Sequence, residues 1–178
     1  AGTGRSDTLL NCFVMGRIED SMPGIFDALQ GSAVTLQLGG GIGLDFSTLR
    51  PRGASATTAG TIASGPVSFM HVWDAMCATV MASGGRRGAM MATLRVDHPD
   101  ILEFIEAKRD PSALHHFNLS VQVTDRFLEA VRRDAAWPLL HPVGAAEAVR
   151  RLPARQLWER LLDCAYETSE PGVLFVDT

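Results

Sequence analysis

Asn11-Cys12-Phe13-Val14-Met15-Gly16-Arg17-Ile18, running into Glu19-Asp20-Ser21-Met22-Pro23, sets the pattern for the whole chain. The first eight residues are apolar with β-branched members and read as a strand. Glu19, Asp20 and Ser21 then put acidic and hydroxyl groups where a helix start has unpaired N–H groups, and Pro23 suits the first turn. Ile25, Phe26, Leu29, Ala33 and Leu36 follow at helical spacing, with Gly31 expected as a weak point or break. A strand feeding a capped helix is the unit of an α/β fold.

The unit recurs downstream. Gly39-Gly40-Gly41-Ile42-Gly43 ends the helical run and leads to a short predicted strand, Leu44-Asp45-Phe46. Ser47 to Gly65 is rich in Gly, Ala, Ser and Thr, contains Arg50 and Arg52, and reads as a long functional or mobile loop. Pro66 opens a helix whose apolar face carries Val67, Met70, Trp73, Met76, Cys77 and Val80. A second loop, Ser83 to Ala89, precedes a strand at 90–96. His98-Pro99-Asp100 is predicted to cap a helix through Lys108. Phe117 to Val123 alternates as a strand, and Thr124-Asp125 caps a helix to Arg133. Ala135 to Pro153 reads as irregular, 154–167 as an amphipathic helix, and Gly172 onward as an apolar strand. Strands alternating with helices predict parallel neighbours joined by crossovers.

Composition narrows the function. With 178 residues the chain is one domain in size, and 46% hydrophobic against 20% charged residues excludes wholesale disorder. Lys+Arg 16 against Asp+Glu 20 leaves a charge of −4, the wrong sign for a nucleic-acid surface. Three cysteines are too few for a disulfide scaffold and fit thiols of a reducing, cytoplasmic compartment. No stretch approaches the roughly 20 apolar residues of a membrane span. The start at Ala1 and the apolar end at Thr178 read as cuts, so a fragment of a longer chain is expected.

By residue type, Cys12 in a strand reads as a small buried hydrophobe, and Cys77 and Cys164 on apolar helical faces read the same way. No Cys or His pair has zinc-ligand spacing, and His115-His116 would point apart in a strand, so no metal site is expected. The glycine cluster 39–43 lacks the Lys-Ser/Thr of a phosphate-binding loop and follows a helix, although its backbone permits close approach of a ligand. Gly84-Gly85-Arg86-Arg87-Gly88 places two arginines between glycines, a pattern suited to anionic or planar ligands.

Read together, these blocks resemble the adenosylcobalamin-dependent (class II) ribonucleotide reductases. The resemblance runs through Asn11-Cys12-Phe13-Val14, Ile18-Glu19-Asp20-Ser21-Met22, Gly39 to Gly43 and Asp45-Phe46-Ser47-Thr48-Leu49-Arg50-Pro51. It continues through Ala63 to Met70, Arg86 to Met91, Leu94 to Ile101, Phe117 to Val121 and Glu170 to Phe175. It implies the N-terminal half of a ten-stranded α/β barrel, with Cys12 as one of two redox thiols that reduce the ribose. It further implies Asn11, Gly40, Gly41 and Arg87 as substrate contacts. Asp20 and Ser21 would hold the sugar of a dNTP effector, with Arg50 and Arg52 toward its phosphates. Ser83, Gly84, Gly85 and Arg86 would connect effector identity to substrate choice. Relatives often carry a third arginine in that loop; here there are two, and Arg87, before Gly88, aligns better with the substrate-facing position. Adenosylcobalamin as cofactor, a thioredoxin-type reductant and a homodimer built on the helices after Asp20 and Pro66 complete the implied set. The thiyl-radical cysteine, the second redox cysteine and an acid–base Glu would lie beyond Thr178. The competing reading is a non-catalytic nucleotide-binding and dimerisation module.

Overall fold

The computed structural model of the chain describes residues 11–55, 62–80 and 88–177. Its strands are β1 (Cys12–Arg17), β2 (Gly41–Asp45), β3 (Met90–Arg95), β4 (Phe117–Val123), β5 (Ala136–Leu139), β6 (Arg150–Pro153) and β7 (Gly172–Phe175). Its helices are α1 (Met22–Gln37), α2 (Pro66–Thr79), α3 (Ile101–Glu106), α4 (Asp125–Arg132) and α5 (Ala154–Thr168). Five strands form one parallel sheet in the order β1-β2-β3-β4-β7, and β5 pairs with β6 as an antiparallel hairpin.

A parallel sheet laid down in chain order has one consequence. Right-handed crossovers put every connecting helix on the same face. Burial agrees: Ile42, Leu44, Met90, Ala92, Leu94, Phe117, Leu119 and Val121 are buried on one face of their strands. On the other face the row Val14, Gly43, Met91, Asn118 is not, and Val14 is 92% exposed. That open face is also polar, with Gln122 donating to Thr93 Oγ1 at 2.8 Å. A one-sided five-stranded sheet is what a partial α/β barrel requires. No closed barrel forms among the described residues.

The helical layer is pinned by Trp73, fully buried, which meets Phe46 edge-on at 5.4 Å and donates from Nε1 to Ser32 Oγ at 2.9 Å. Local signals account for the ends of α1. Ser21 accepts from the Gly24 N–H at 3.1 Å, and Pro23 occupies the first turn. At the other end Gly39 takes φ +89°, and Gly39 and Gly40 donate to Leu36 and Thr35 carbonyls, a glycine-dependent stop. Gly31 does not break the helix. One glycine costs only about 1 kcal/mol relative to alanine, too little to interrupt 16 residues held by packing.

Other expectations need correction. β2 begins at Gly41, not Leu44, because the chain on either side captures its first two residues: Gly41 N–H donates to Asn11 O at 2.6 Å and Ile42 N–H to Ala89 O at 3.1 Å. The region 135–153 contains the hairpin β5–β6, whose prolines at 138 and 153 hid the period and are tolerated at sheet edges. The helix after Asp100 ends at Glu106 rather than Lys108. His115 and His116 occupy a turn, where His116 Nδ1 lies 3.1 Å from Asp74. No helix among the described residues is long and apolar enough to cross a membrane.

Candidate functional site

At the amino ends of the strands, Cys12 opens β1 on the open face and is exposed, which overturns the buried-hydrophobe reading of its residue type. Its register partner across the sheet is Gly41. A Cβ on Gly41 would lie 3.4 Å from Asn11 O and Ala89 O and 3.8 Å from Cys12 Sγ. These are ordinary contacts, so packing within the chain does not demand glycine here. Its effect is to leave the thiol unshielded and the neighbouring backbone approachable. Gly40 differs: a Cβ there would come within 2.9 Å of the Phe13 ring and of Thr35, so packing alone accounts for it. Asn11 contributes the carbonyl that binds Gly41.

At the carboxyl ends, the chain turns from β1 into α1 through Asp20 and Ser21. Asp20 is bound by Arg50 twice, from Nε to Oδ2 at 2.8 Å and from the backbone N–H to Oδ1 at 3.2 Å. Arg50 Nη2 also donates to Asp20 O at 3.1 Å. The Ser21 hydroxyl donates to Glu19 Oε1 while capping α1. Arg52 points elsewhere, with Nη2 donating to Glu103 Oε1 at 2.6 Å and Ser68 Oγ at 3.1 Å. Asp20, Ser21 and Arg50 are therefore gathered in one place, and Arg52 belongs to the adjoining α2–α3 seam.

Three residues here were missed or misread in the sequence. Asp100 sits at the start of α3 without capping it; its Oδ2 accepts from the Arg52 N–H at 2.8 Å. His98, almost fully buried, donates from Nε2 to Leu49 O at 2.9 Å and accepts the Asp100 N–H on Nδ1 at 3.0 Å. His141, on the β5–β6 connection, meets His98 edge-on at 6.1 Å, and its buried Nδ1 has no hydrogen-bond partner among the described residues. Burial is the largest influence on both histidines and lowers their pKa values. The only sequence signal was His98-Pro99-Asp100, which looked like a helix cap.

The two groups lie at opposite ends of the sheet. β1 alone separates them by about 17 Å at 3.3 Å per residue, and α2 carries the chain back over about 20 Å. Ser83, Gly84, Gly85, Arg86 and Arg87 lie outside the described residues. The residues flanking them, Val80 after α2 and Gly88 before β3, are both at the Cys12 end. Cys77 and Cys164 are buried free thiols, as expected of core residues. Burial, with Asp74 nearby, pushes the Cys77 thiol up from its ordinary value. No three metal-ligating side chains cluster among the described residues.

A sequence profile of the family described as ribonucleotide reductase, barrel domain, matches residues 10–178. The chain is 46% identical over 171 residues to a vitamin B12-dependent ribonucleoside-diphosphate reductase of Mycobacterium tuberculosis, covering 96% of this chain and 24% of that protein. A protein of the same name from Thermoplasma acidophilum is 39% identical over 178 residues, covering 99% and 23%. A vitamin B12-dependent ribonucleotide reductase of Rhodopirellula baltica is 33% identical over 196 residues, covering 94% and 18%. The chain thus spans about a quarter or less of the length of these relatives.

Proposed function

This chain belongs to the ribonucleotide reductase barrel-domain family, and from that premise we propose that it is part of an enzyme reducing ribonucleotides to 2′-deoxyribonucleotides. The names of two relatives specify ribonucleoside diphosphates, which makes these the proposed substrate class. The carrying observation is Cys12, an exposed thiol on a strand, facing an open sheet surface beside a glycine that leaves room for a sugar.

A thiyl radical takes the 3′ hydrogen, water departs from C2′, and two thiols supply two electrons as they become a disulfide. The 3′ hydrogen is then returned. Cys12 is one of those thiols. Cys77 and Cys164 are buried in the helical layer, so neither fits as its partner, and the second thiol and the thiyl cysteine belong to other parts of the protein. A thioredoxin-type dithiol would reopen the disulfide. Adenosylcobalamin, proposed from the relatives' names, would supply the radical. The described residues present no surface that geometry singles out for the corrin, so none is assigned to it.

Asp20, Ser21 and Arg50 form the proposed dNTP effector site, a carboxylate and hydroxyl for the sugar beside a guanidinium for phosphate. Val80 and Gly88, the described residues on either side of the implied specificity segment, lie at the far end of the sheet, so a homodimer is the economical way to bring that segment to the effector. Helix α1 exposes Met22, Phe26 and Val34, and Leu38 just after it is exposed as well. Two copies packing α1 antiparallel about a two-fold axis would set the Val80–Gly88 end of one near Asp20 of the other.

In the full-length enzyme, Cys12→Ser should abolish turnover with a thioredoxin-type reductant and leave dNTP binding intact. Equal loss of both would make Cys12 structural and remove the basis of this reading.

A further inference from the structure

In the connection from β2 to α2, one carboxylate binds the outgoing chain at Arg52 and lies against Gly65, the residue before α2. Asp100 Oδ2 accepts from the Arg52 N–H at the outgoing end. At the returning end Gly65 adopts φ +84°, and a Cβ there would fall 2.7 Å from the same Oδ2 and 3.0 Å from Arg52 N. The carboxylate therefore sits in the space that any side chain at Gly65 would need. His98 secures it: its Nδ1 receives the Asp100 N–H, and its Nε2 donates to Leu49 O, one residue before Arg50. Above this base the segment pairs with itself, Gly53 N–H to Ala63 O and Ala63 N–H to Ala54 O, both at 2.9 Å. Ser55 bridges Ile62. The same strap fixes Arg50, whose guanidinium spans from Asp20 to Ser55 O at 3.5 Å.

We propose that Asp100 is a positioning residue for the effector site, holding both ends of the 50–65 segment so that Arg50 is presented against Asp20, and that Arg52 acts as the strap of this latch rather than as a phosphate ligand. The proposal rests on the effector reading of Asp20 and Arg50. It assigns Arg52 to Glu103 and Ser68, where its guanidinium is already engaged. A hydrogen bond to a charged group of this kind is worth about ten-fold to a hundred-fold in an equilibrium, and its loss is felt where the loop is used.

The experiment is dTTP titration of the full-length protein by calorimetry, with four variants. Asp100→Ala should weaken binding about ten-fold or more, and Asp100→Asn, which keeps an acceptor oxygen, should recover most of that loss. Glu103→Ala separates the roles of Arg52. It should weaken binding about three-fold if Arg52 is the strap, whereas freeing a phosphate-binding guanidinium would strengthen it. Binding that is unchanged in Asp100→Ala, or strengthened in Glu103→Ala, overturns the proposal, provided Asp20→Ala weakens dTTP. If Asp20→Ala also binds as the wild type does, the effector reading has failed and the latch falls with it. Should Asp100→Ala not fold, the direction of the Glu103→Ala change at its exposed site decides alone.

Discussion

The two ends of the parallel sheet are built on opposite principles. At the amino ends, Cys12 is exposed and its neighbour across the sheet is a glycine. At the carboxyl ends, Asp20 is locked to Arg50, Arg95 to Asp97, Arg52 to Glu103 and Asp100, and His98 to Leu49. An open α/β sheet ordinarily places its ligand at the carboxyl ends of the strands, which would predict only the second region. The difference teaches that one end leaves a thiol open to solvent while the other engages its side chains with one another; under the proposed function the first is free for chemistry and the second pre-organises a recognition surface. Both hang from one helical layer.

That shared layer offers the harshest test. Trp73 is buried within that layer, against Phe46 on one side and Ser32 of α1 on the other. Trp73→Ala removes a fully buried aromatic and should cost about 3–5 kcal/mol of stability, read as a lowered denaturant midpoint of the full-length protein. Turnover and effector binding should decline together with folded fraction. If effector binding survives at a temperature where turnover is gone, the ends do not share a foundation, and the comparison breaks.

A smaller and end-specific effect is expected from Asp20→Ala. The carboxylate holds Arg50 through two bonds at a part-exposed site. Loss of a charge-assisted contact of about 1.5–3 kcal/mol corresponds to dNTP binding weaker by roughly ten-fold to a hundred-fold. The Cys12 end should be untouched, so alkylation of Cys12 by a small thiol reagent should keep its wild-type rate. An altered alkylation rate would mean that the two ends communicate, within one copy or across the proposed dimer.

How much of this was legible in the sequence follows from the reach of each interaction. Ser21, Pro23 and Gly39 declare the ends of α1 because a cap is satisfied within three residues. Thr124 likewise caps α4, accepting from Phe127 N–H at 3.2 Å. The strand at Gly41 was hidden because glycine has no strand propensity, and only the neighbours β1 and β3 impose it. The Asp100 latch was hidden for a similar reason: its partner Arg52 is 48 residues away, and adjacency to α3 suggested a cap instead. Cys12 is the sharpest case. Its residue type pointed to the core, and the redox role proposed for it entered only through the family resemblance; the exposed position belongs to the edge of a one-sided sheet.

The mildest prediction concerns acid. His98 is neutral in the fold: its Nδ1 must accept the Asp100 N–H while its Nε2 donates to Leu49 O, so adding a proton to Nδ1 would remove an acceptor and orphan a buried N–H. Burial, the largest influence, lowers its pKa below the ordinary 6.5, and burial lowers His141 beside it as well. With the folded pKa depressed, the unfolded chain binds more protons as pH falls through about 6.5. Stability is therefore fully present above that pH and declines progressively below it. Urea midpoints measured from pH 7.5 to 5.5 at constant ionic strength should fall, and His98→Gln should flatten the slope without abolishing it, because His141 still titrates. Affinity for dTTP should decline over the same interval, since the protonated ring loosens the base of the 50–65 segment, whereas the Cys12 end has no stake in that hydrogen bond. A urea midpoint that stays level through this range would mean that His98 keeps the same protonation in folded and unfolded chains, and the carboxyl end would owe its rigidity to its ion pairs alone.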